Sequence, residues 1–420
     1  MFSDSQQNIL SCAASPRLRV SAFRYDAVIV GGGPAGTSAA IHLALNGARV
    51  LLAEQKKFPH AKLCGEFISP ECLDHFERLG IADRMLDAGG ASLTETAFYS
   101  RNGRSVSVPS TWFGGGQTSA LGLSRAEMDA RLLKRARDVG VEVFEETQAV
   151  GLLMDGRRVR GVRLKRDGQL FEFDSLMAID ATGRARQLAR RIGKDVAEKH
   201  HAKKRSAPLV AFKAHLENAY GASGHCEIYF YRGGYGGLNC IEGGLSNLCF
   251  IARARDVRAC DGDAARVMRE VLMKNRRAEQ TLAGASVRSS WLAVALEGFG
   301  RRSIVPADGM LAVGDAASFI DPFTGSGMLM ALESGELAGQ MIARHLSTLR
   351  GGATTDALAC EYRAHYDQIF GARLRVCAWM RRAAFVPRCA ETVIFALGIS
   401  ERARKYLARS TRRKTVGGWQ

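Results

Sequence analysis

The sequence predicts an α/β protein with a segmented nucleotide-binding domain, an inserted mostly β domain and a helical C-terminal region. Three observations predict it. An apolar run at 26–30 leads through a glycine-rich turn into an Ala-rich segment, then into a second apolar run at 48–53. A further apolar run at 310–313 enters Gly314-Asp315 far along the chain. Between them, 208–252 alternates aromatic and aliphatic residues with glycine breaks, as antiparallel strands do.

The bounds are consistent with this. A chain of 420 residues calls for two or three cores, because single cores stop growing beyond about 250–300 residues. A hydrophobic content of 46% excludes wholesale disorder. Residues 1–24 contain Asp4 and no sustained apolar run, and read as an unstructured extension rather than a secretory signal. No run approaches the ~18 apolar residues of a membrane-spanning helix. Ten scattered cysteines give neither a disulfide framework nor metal-ligand spacing, so the expectation is a reducing, cytoplasmic home and no metal.

From residue 25 the elements follow in order. The run at 26–30 is long enough for a buried parallel strand. Gly31-x-Gly33-Pro34-Ala35-Gly36 opens a helix that stops at Asn46-Gly47, and the next strand ends at Glu54. Apolar runs at 159–164 and 170–173 flank Asp167-Gly168, a hairpin turn, and 176–179 reads as a separate strand entering Asp180-Ala-Thr-Gly183. Residues 263–275 read as one amphipathic helix, 325–346 as mostly helical, and 356–409 as further helices. The nucleotide-binding domain is assigned to 25–90, 121–195 and 301–350, the inserted domain to 91–120 and 196–300, and the helical region to 351–420.

Gly31-x-Gly33-x-x-Gly36 alone is a weak signal in a chain with 45 glycines. Here it follows a strand, opens a helix and is answered by the acid Glu54. Those are the requirements of a Rossmann-like dinucleotide site: a tight turn, close backbone approach to a pyrophosphate, helix packing and a carboxylate for ribose hydroxyls. The helix N-terminus adds oriented N–H groups for phosphate.

Glu54-Gln55 through Pro59, followed by Cys64-Gly65-Glu66, resembles flavoproteins of the superfamily of geranylgeranyl reductases, flavin-dependent halogenases and aromatic-hydroxylase-type monooxygenases. The resemblance implies FAD in the fingerprint site and a glutathione-reductase-type FAD-binding domain. It implies that Gly65 and Glu66 lie along the cofactor and that Cys64 either approaches the flavin or is a small buried thiol. The run from Gly314-Asp315 through Pro322, Gly325 and Gly327 is similar to the second FAD motif, in which the strand-end Asp, here Asp315, bonds the ribityl chain. Arg125 matches the superfamily's arginine at a helix start near the cofactor, although Ser124-Arg125 is also an ordinary helix start.

The same resemblance orders the chemistries. Asp180-Ala-Thr-Gly183-Arg184 resembles reductases and halogenases and departs from the Asp-Gly pair with which aromatic hydroxylases recruit NADPH. NAD(P)H is therefore expected as a transient or indirect electron donor. The Trp-x-Trp-x-Ile-Pro segment of halogenases is absent, the four tryptophans being Trp112, Trp291, Trp379 and Trp419. The aromatic-x-Trp-x-Phe-Pro stretch of geranylgeranyl reductases is replaced by Tyr231-Arg-Gly-Gly-Tyr235-Gly-Gly-Leu238. The leading expectation is a monooxygenase acting on an aromatic, polyketide-like or lipophilic molecule through reduced flavin and oxygen. A reductase of isoprenoid-type double bonds is the alternative, and a halogenase or an electron-transfer flavoprotein ranks below both. Tyr229, Phe230, Tyr231 and Tyr235 are candidate pocket aromatics or ordinary strand aromatics. No catalytic side chain is assigned.

The net charge of +17 admits nucleic acid, an anionic membrane or an acidic substrate. No reading helix, zinc motif or aromatic–basic platform supports nucleic acid. His200-His201 sits in a basic stretch that reads as a solvated loop first and an anion site second. Residues 371–420 hold twelve Lys and Arg against two acids, interleaved with apolar residues. That pattern suits either a helical cap with a solvated outer face or peripheral contact with an anionic bilayer.

Overall fold

The computed structural model describes residues 19–20, 25–114, 118–196, 209–297, 299–321, 325–384 and 387–410. Pro322, His200 and His201 lie outside the described residues, as does nearly all of the N-terminal extension.

Strand Tyr25–Val30 is buried along its whole length, as a parallel strand covered on both faces must be. It pairs in parallel with Val50–Ala53 on one side and with residues 175–180 on the other. Glu142–Phe144 continues the sheet beyond Val50–Ala53, and Met310–Ala312 pairs beside 178–180. Helices Pro34–Leu45, Arg125–Asp138 and Gly327–Arg344 contribute Ile41, Leu132 and Leu332 to one core. Small residues let two of these helices touch. A Cβ on Gly335 would sit 2.3 Å from Ala35 O, and Ser38 Oγ donates to Leu332 O at 2.9 Å.

The hairpin at Asp167-Gly168 forms as expected, with both residues left-handed (φ 50° and 78°). The expected break at 174–175 does not occur. Gln169–Asp180 is one strand of 12 residues, antiparallel to Arg158–Arg166 in its first half and parallel to Tyr25–Val30 in its second. Nothing between 169 and 180 stops a strand, since the stretch holds neither Gly nor Pro.

A second sheet runs in the order Ser286–Val287, Leu209–Glu217, Ser246–Arg253, Gly234–Cys240, His225–Tyr231, Glu95–Tyr99, Ser105–Pro109, with Leu292–Leu296 also pairing Leu209–Glu217. All its pairs are antiparallel except His225–Tyr231 with Glu95–Tyr99. Short helices between 254 and 282 cover one face. The single helix expected over 263–275 is instead Ala264–Glu270, capped by Asp263, followed by a turn at Leu272–Lys274. Asn275 ends the run because its side chain is tied to the sheet, donating to the carbonyls of Tyr99, Ser100 and Phe230.

The C-terminal region is helical: Asp356–Ala384, Pro387–Ile399 and Glu401–Ser410. The first lies on the parallel-sheet domain, where Tyr362 donates to Ala312 O and Tyr366 to Ser318 Oγ. Arg373 is 2% exposed and pairs with the buried Glu333, so one of the tail's basic residues is a core ion pair. No described helix is long and apolar enough to cross a membrane.

Candidate functional site

A cavity of about 640 Å³ runs between the two sheets. At one end it is lined by the fingerprint turn, and at the other by the uncovered face of the second sheet and the last two helices.

The fingerprint glycines divide the work. Gly31 is left-handed at φ 110°, and a Cβ there would lie 2.3 Å from Ala181 O. A Cβ on Gly36 would lie 1.9 Å from Gly31 O, so this glycine serves the turn rather than the cavity wall. Gly33 differs: a Cβ there meets nothing closer than Arg125 Nη2 at 3.7 Å and Lys62 Nζ at 3.8 Å. Open space at a helix N-terminus flanked by two cations is an anion site. Pro34, Ala35, Gln55, Cys64 and Gly65 line the same cavity. Gln55 also accepts from Gln187 Nε2 at 3.1 Å.

Glu54 ends its strand as expected. It is 6% exposed, and its carboxylate accepts from Gly32 N at 2.8 Å and Lys56 N at 3.0 Å. Arg125 begins its helix, capped by Ser124, and grips Asp129 through Nε at 2.9 Å and Nη2 at 2.7 Å. Lys62 reaches the same Asp129 at 3.2 Å. Burial raises the Asp129 carboxyl, but the Arg125 and Lys62 charges outweigh it and hold it below the usual range. The anion site is thus built from two cations fixed by one buried carboxylate.

Glu66 takes a role the sequence did not reveal. Its backbone is left-handed (φ 52°) and its side chain is fully buried. The carboxylate pairs with Lys213 Nζ, accepts from Arg125 N at 2.8 Å and lies 2.8 Å from His215 Nε2. Burial opposes ionisation, yet His215 and Lys213 hold the carboxyl below its ordinary value. Glu66 therefore bolts the cofactor loop to strand Leu209–Glu217 through its carboxylate.

Asp315 follows Gly314, which is left-handed at φ 57°. Its side chain lines the cavity, and among the described residues it has no hydrogen-bond partner. Burial pushes its carboxyl up to about 6, against the opposing charges of Arg184 and Arg125. Gly325, left-handed at φ 60°, leads into Gly327 and helix Gly327–Arg344, whose N-terminus opens on the cavity.

The pocket aromatics split by strand alternation. Phe230 and Tyr235, opposite each other in register, face the cavity, and the Tyr235 hydroxyl donates to Asp321 Oδ1. Tyr229 and Tyr231 face the helices on the other side, where Tyr231 donates to Ile251 O at 2.8 Å and Tyr229 to Glu227. Adjacent strand residues point to opposite faces, so the run could not all line one pocket. Phe98, Val106, Ile228, Ile251 and Leu296 complete the apolar wall.

Sequence reasoning missed the roles of Lys213, His215, Asp129 and Lys62. The available signal was a lysine and a histidine two apart in an otherwise apolar strand run at 209–216, and an acid four residues after Arg125.

Residues 24–369 match the family model of the FAD binding domain, and the chain belongs to that family. It is an FAD-dependent oxidoreductase of α/β architecture. Among its relatives, the digeranylgeranylglycerophospholipid reductase of Methanosarcina mazei is 28% identical over 326 residues, 76% of this chain and 74% of that protein. The menaquinone reductase of Mycolicibacterium smegmatis is 27% identical over 368 residues, 84% of each. The structure of a flavin-dependent brominase superposes with a TM-score of 0.76 at 22% identity, covering 93% of each chain, a likeness of fold.

The site suits the cofactor on its own terms. The Asp315 carboxylate faces the cavity without a donor, and the ribityl hydroxyls of FAD are donors. The open space at Gly33, flanked by the Arg125 and Lys62 cations, would take a pyrophosphate.

Proposed function

We propose that the protein is an FAD-dependent reductase of a carbon–carbon double bond in an elongated, isoprenoid-type lipophilic molecule, with NAD(P)H as the transient or indirect electron source. The observation that carries this reading is the continuity of the cavity, from the Gly33–Arg125–Lys62 cradle to an apolar chamber walled by Phe98, Ile228, Phe230 and Leu296. Two relatives matched over about four-fifths of the chain, both named reductases, support it.

In this reading Gly33, Glu54, Arg125 and Asp315 hold FAD, and Glu66 orders the loop beside it. Reduced FAD held there, its two electrons drawn from NAD(P)H, would supply the hydride. The apolar wall excludes water and aligns the substrate chain. The Tyr235 hydroxyl, coupled to Asp321, holds the proton that completes addition to the second carbon. The protein's contribution is position and electrostatics.

Monooxygenation is the second reading. Phe230, Tyr235 and Phe319 share one apolar cluster on the cavity wall, and Phe319 stacks on Phe299 at 4.7 Å, which favours a flat ring there. One experiment separates the two. Protein reduced without oxygen is mixed with a geranylgeranyl lipid, and flavin absorbance and product mass are followed. Flavin reoxidation with a product that gains two hydrogens supports reduction. A product that forms only with oxygen and gains one oxygen atom supports the second reading.

A further inference from the structure

Helices Pro387–Ile399 and Glu401–Ser410 lie across the far end of the cavity, and each has two contrasting sides. Inward, Ile394 is 5% exposed and packs with Val106, Phe230 and Tyr235, while Leu397 and Leu407 line the chamber. Outward, Thr392, Phe395, Ala396 and Ile399 recur at i, i+3, i+4, i+7 and are all exposed. Phe395 is 55% and Ile399 73% exposed, and on the next helix Tyr406 is 78% exposed, flanked by exposed Arg402 and Arg409. Trp379 is 63% exposed and also lines the cavity, so it marks the mouth.

Exposed Phe395 and Ile399 on one helix, beside Tyr406, Arg402 and Arg409 on the next, fit an interfacial membrane face. Interfacial helices bury an apolar face at the acyl boundary and set Lys and Arg against anionic headgroups. The charge argues against a second copy, because residues 371–420 carry twelve basic residues against two acids and would oppose their own kind. We propose that this face docks on an anionic lipid bilayer, with the cavity mouth at Trp379 opening into the acyl layer. Delivery of a lipophilic substrate by that route rests on the functional reading above, whereas docking does not.

The test floats the full-length, FAD-loaded protein with vesicles of phosphatidylcholine alone or of equal parts phosphatidylcholine and phosphatidylglycerol. The expected result is flotation with the anionic vesicles only, reduced about tenfold in the triple variant Phe395→Ser, Ile399→Ser, Tyr406→Ser. That variant should keep its flavin spectrum and its turnover of detergent-dispersed substrate, which separates docking from chemistry. Flotation of the variant like the parent overturns the proposal, and so does equal binding to neutral vesicles or failure of the parent to bind. A concentration-dependent dimer abolished in the variant also overturns it, by assigning the face to a second copy. Absence of turnover with dispersed substrate in the parent counts against the reductase reading and leaves the flotation result intact.

Discussion

Glu66 and Lys213, 147 residues apart, form an ion pair with both side chains buried, joining the loop at 64–66 to the sheet that walls the apolar end of the cavity. Burying two charges is costly, and removing one partner is costlier, because the other is left uncompensated.

Lys213→Met should therefore destabilise the protein by about 3–5 kcal/mol in urea unfolding. The double variant Lys213→Met, Glu66→Gln should recover most of that loss. Equal instability of the single and double variants would show that the pair is not what holds the loop.

Gly33 and Gly36 should fail differently. Gly33→Asp fills open space and puts a negative charge in the pyrophosphate cradle, so the fold survives and FAD is lost. Gly36→Ala drives a methyl into the Gly31 carbonyl and should cost about 1–3 kcal/mol or more in stability. Flavin absorbance and thermal unfolding of the two purified variants check the contrast, and a yellow Gly33→Asp protein would contradict it.

FAD retention should depend on pH through Asp315. With its carboxyl raised to about 6 when folded, against 3.8 unfolded, the folded protein holds a proton that the unfolded chain releases. The sign follows: cofactor-free stability falls as pH rises from 3.8 to about 6. Ribityl donors favour the charged carboxylate. FAD affinity should consequently strengthen as pH rises through 6 and weaken by up to about tenfold per pH unit below it. Fluorescence titrations measure this, and Asp315→Asn should flatten the profile.

Tyr235→Phe removes the hydroxyl from the chamber wall and keeps the ring. Turnover should fall by at least about tenfold, equivalent to ~1.4 kcal/mol, with flavin content and flavin reduction unchanged. Turnover equal to the parent's would remove Tyr235 from the proton path.

The nucleotide half of the site was legible because its constraints are local. Gly31, Gly33, Gly36 and Glu54 sit within one strand–turn–helix–strand unit, and Asp315 ends an apolar strand in a recognisable run. What was not legible depends on distant partners. Glu66 lines the cavity beside Gly65, but its second role, pairing with Lys213 and His215 of strand Leu209–Glu217, depends on partners that no local pattern reveals. The aromatic run at 229–231 leaves pocket and ordinary strand aromatics both open until strand alternation sends Phe230 to the cavity and Tyr229 and Tyr231 to the other face. The hairpin at Asp167-Gly168 was visible from its turn residues, whereas the merging of its second strand into the parallel sheet depends on pairing that no local pattern carries.

The contact between Ala35 and Gly335 has a consequence for biosynthesis. The helix that starts at the pyrophosphate cradle and the helix that starts at Gly327 brace each other, so neither half of the cofactor seat is finished alone. A nascent chain must extend past residue 335 before that brace exists, and the helices over the chamber emerge later still. The cofactor seat therefore needs both segments together, and the helices at 387–410 follow both of them in the chain.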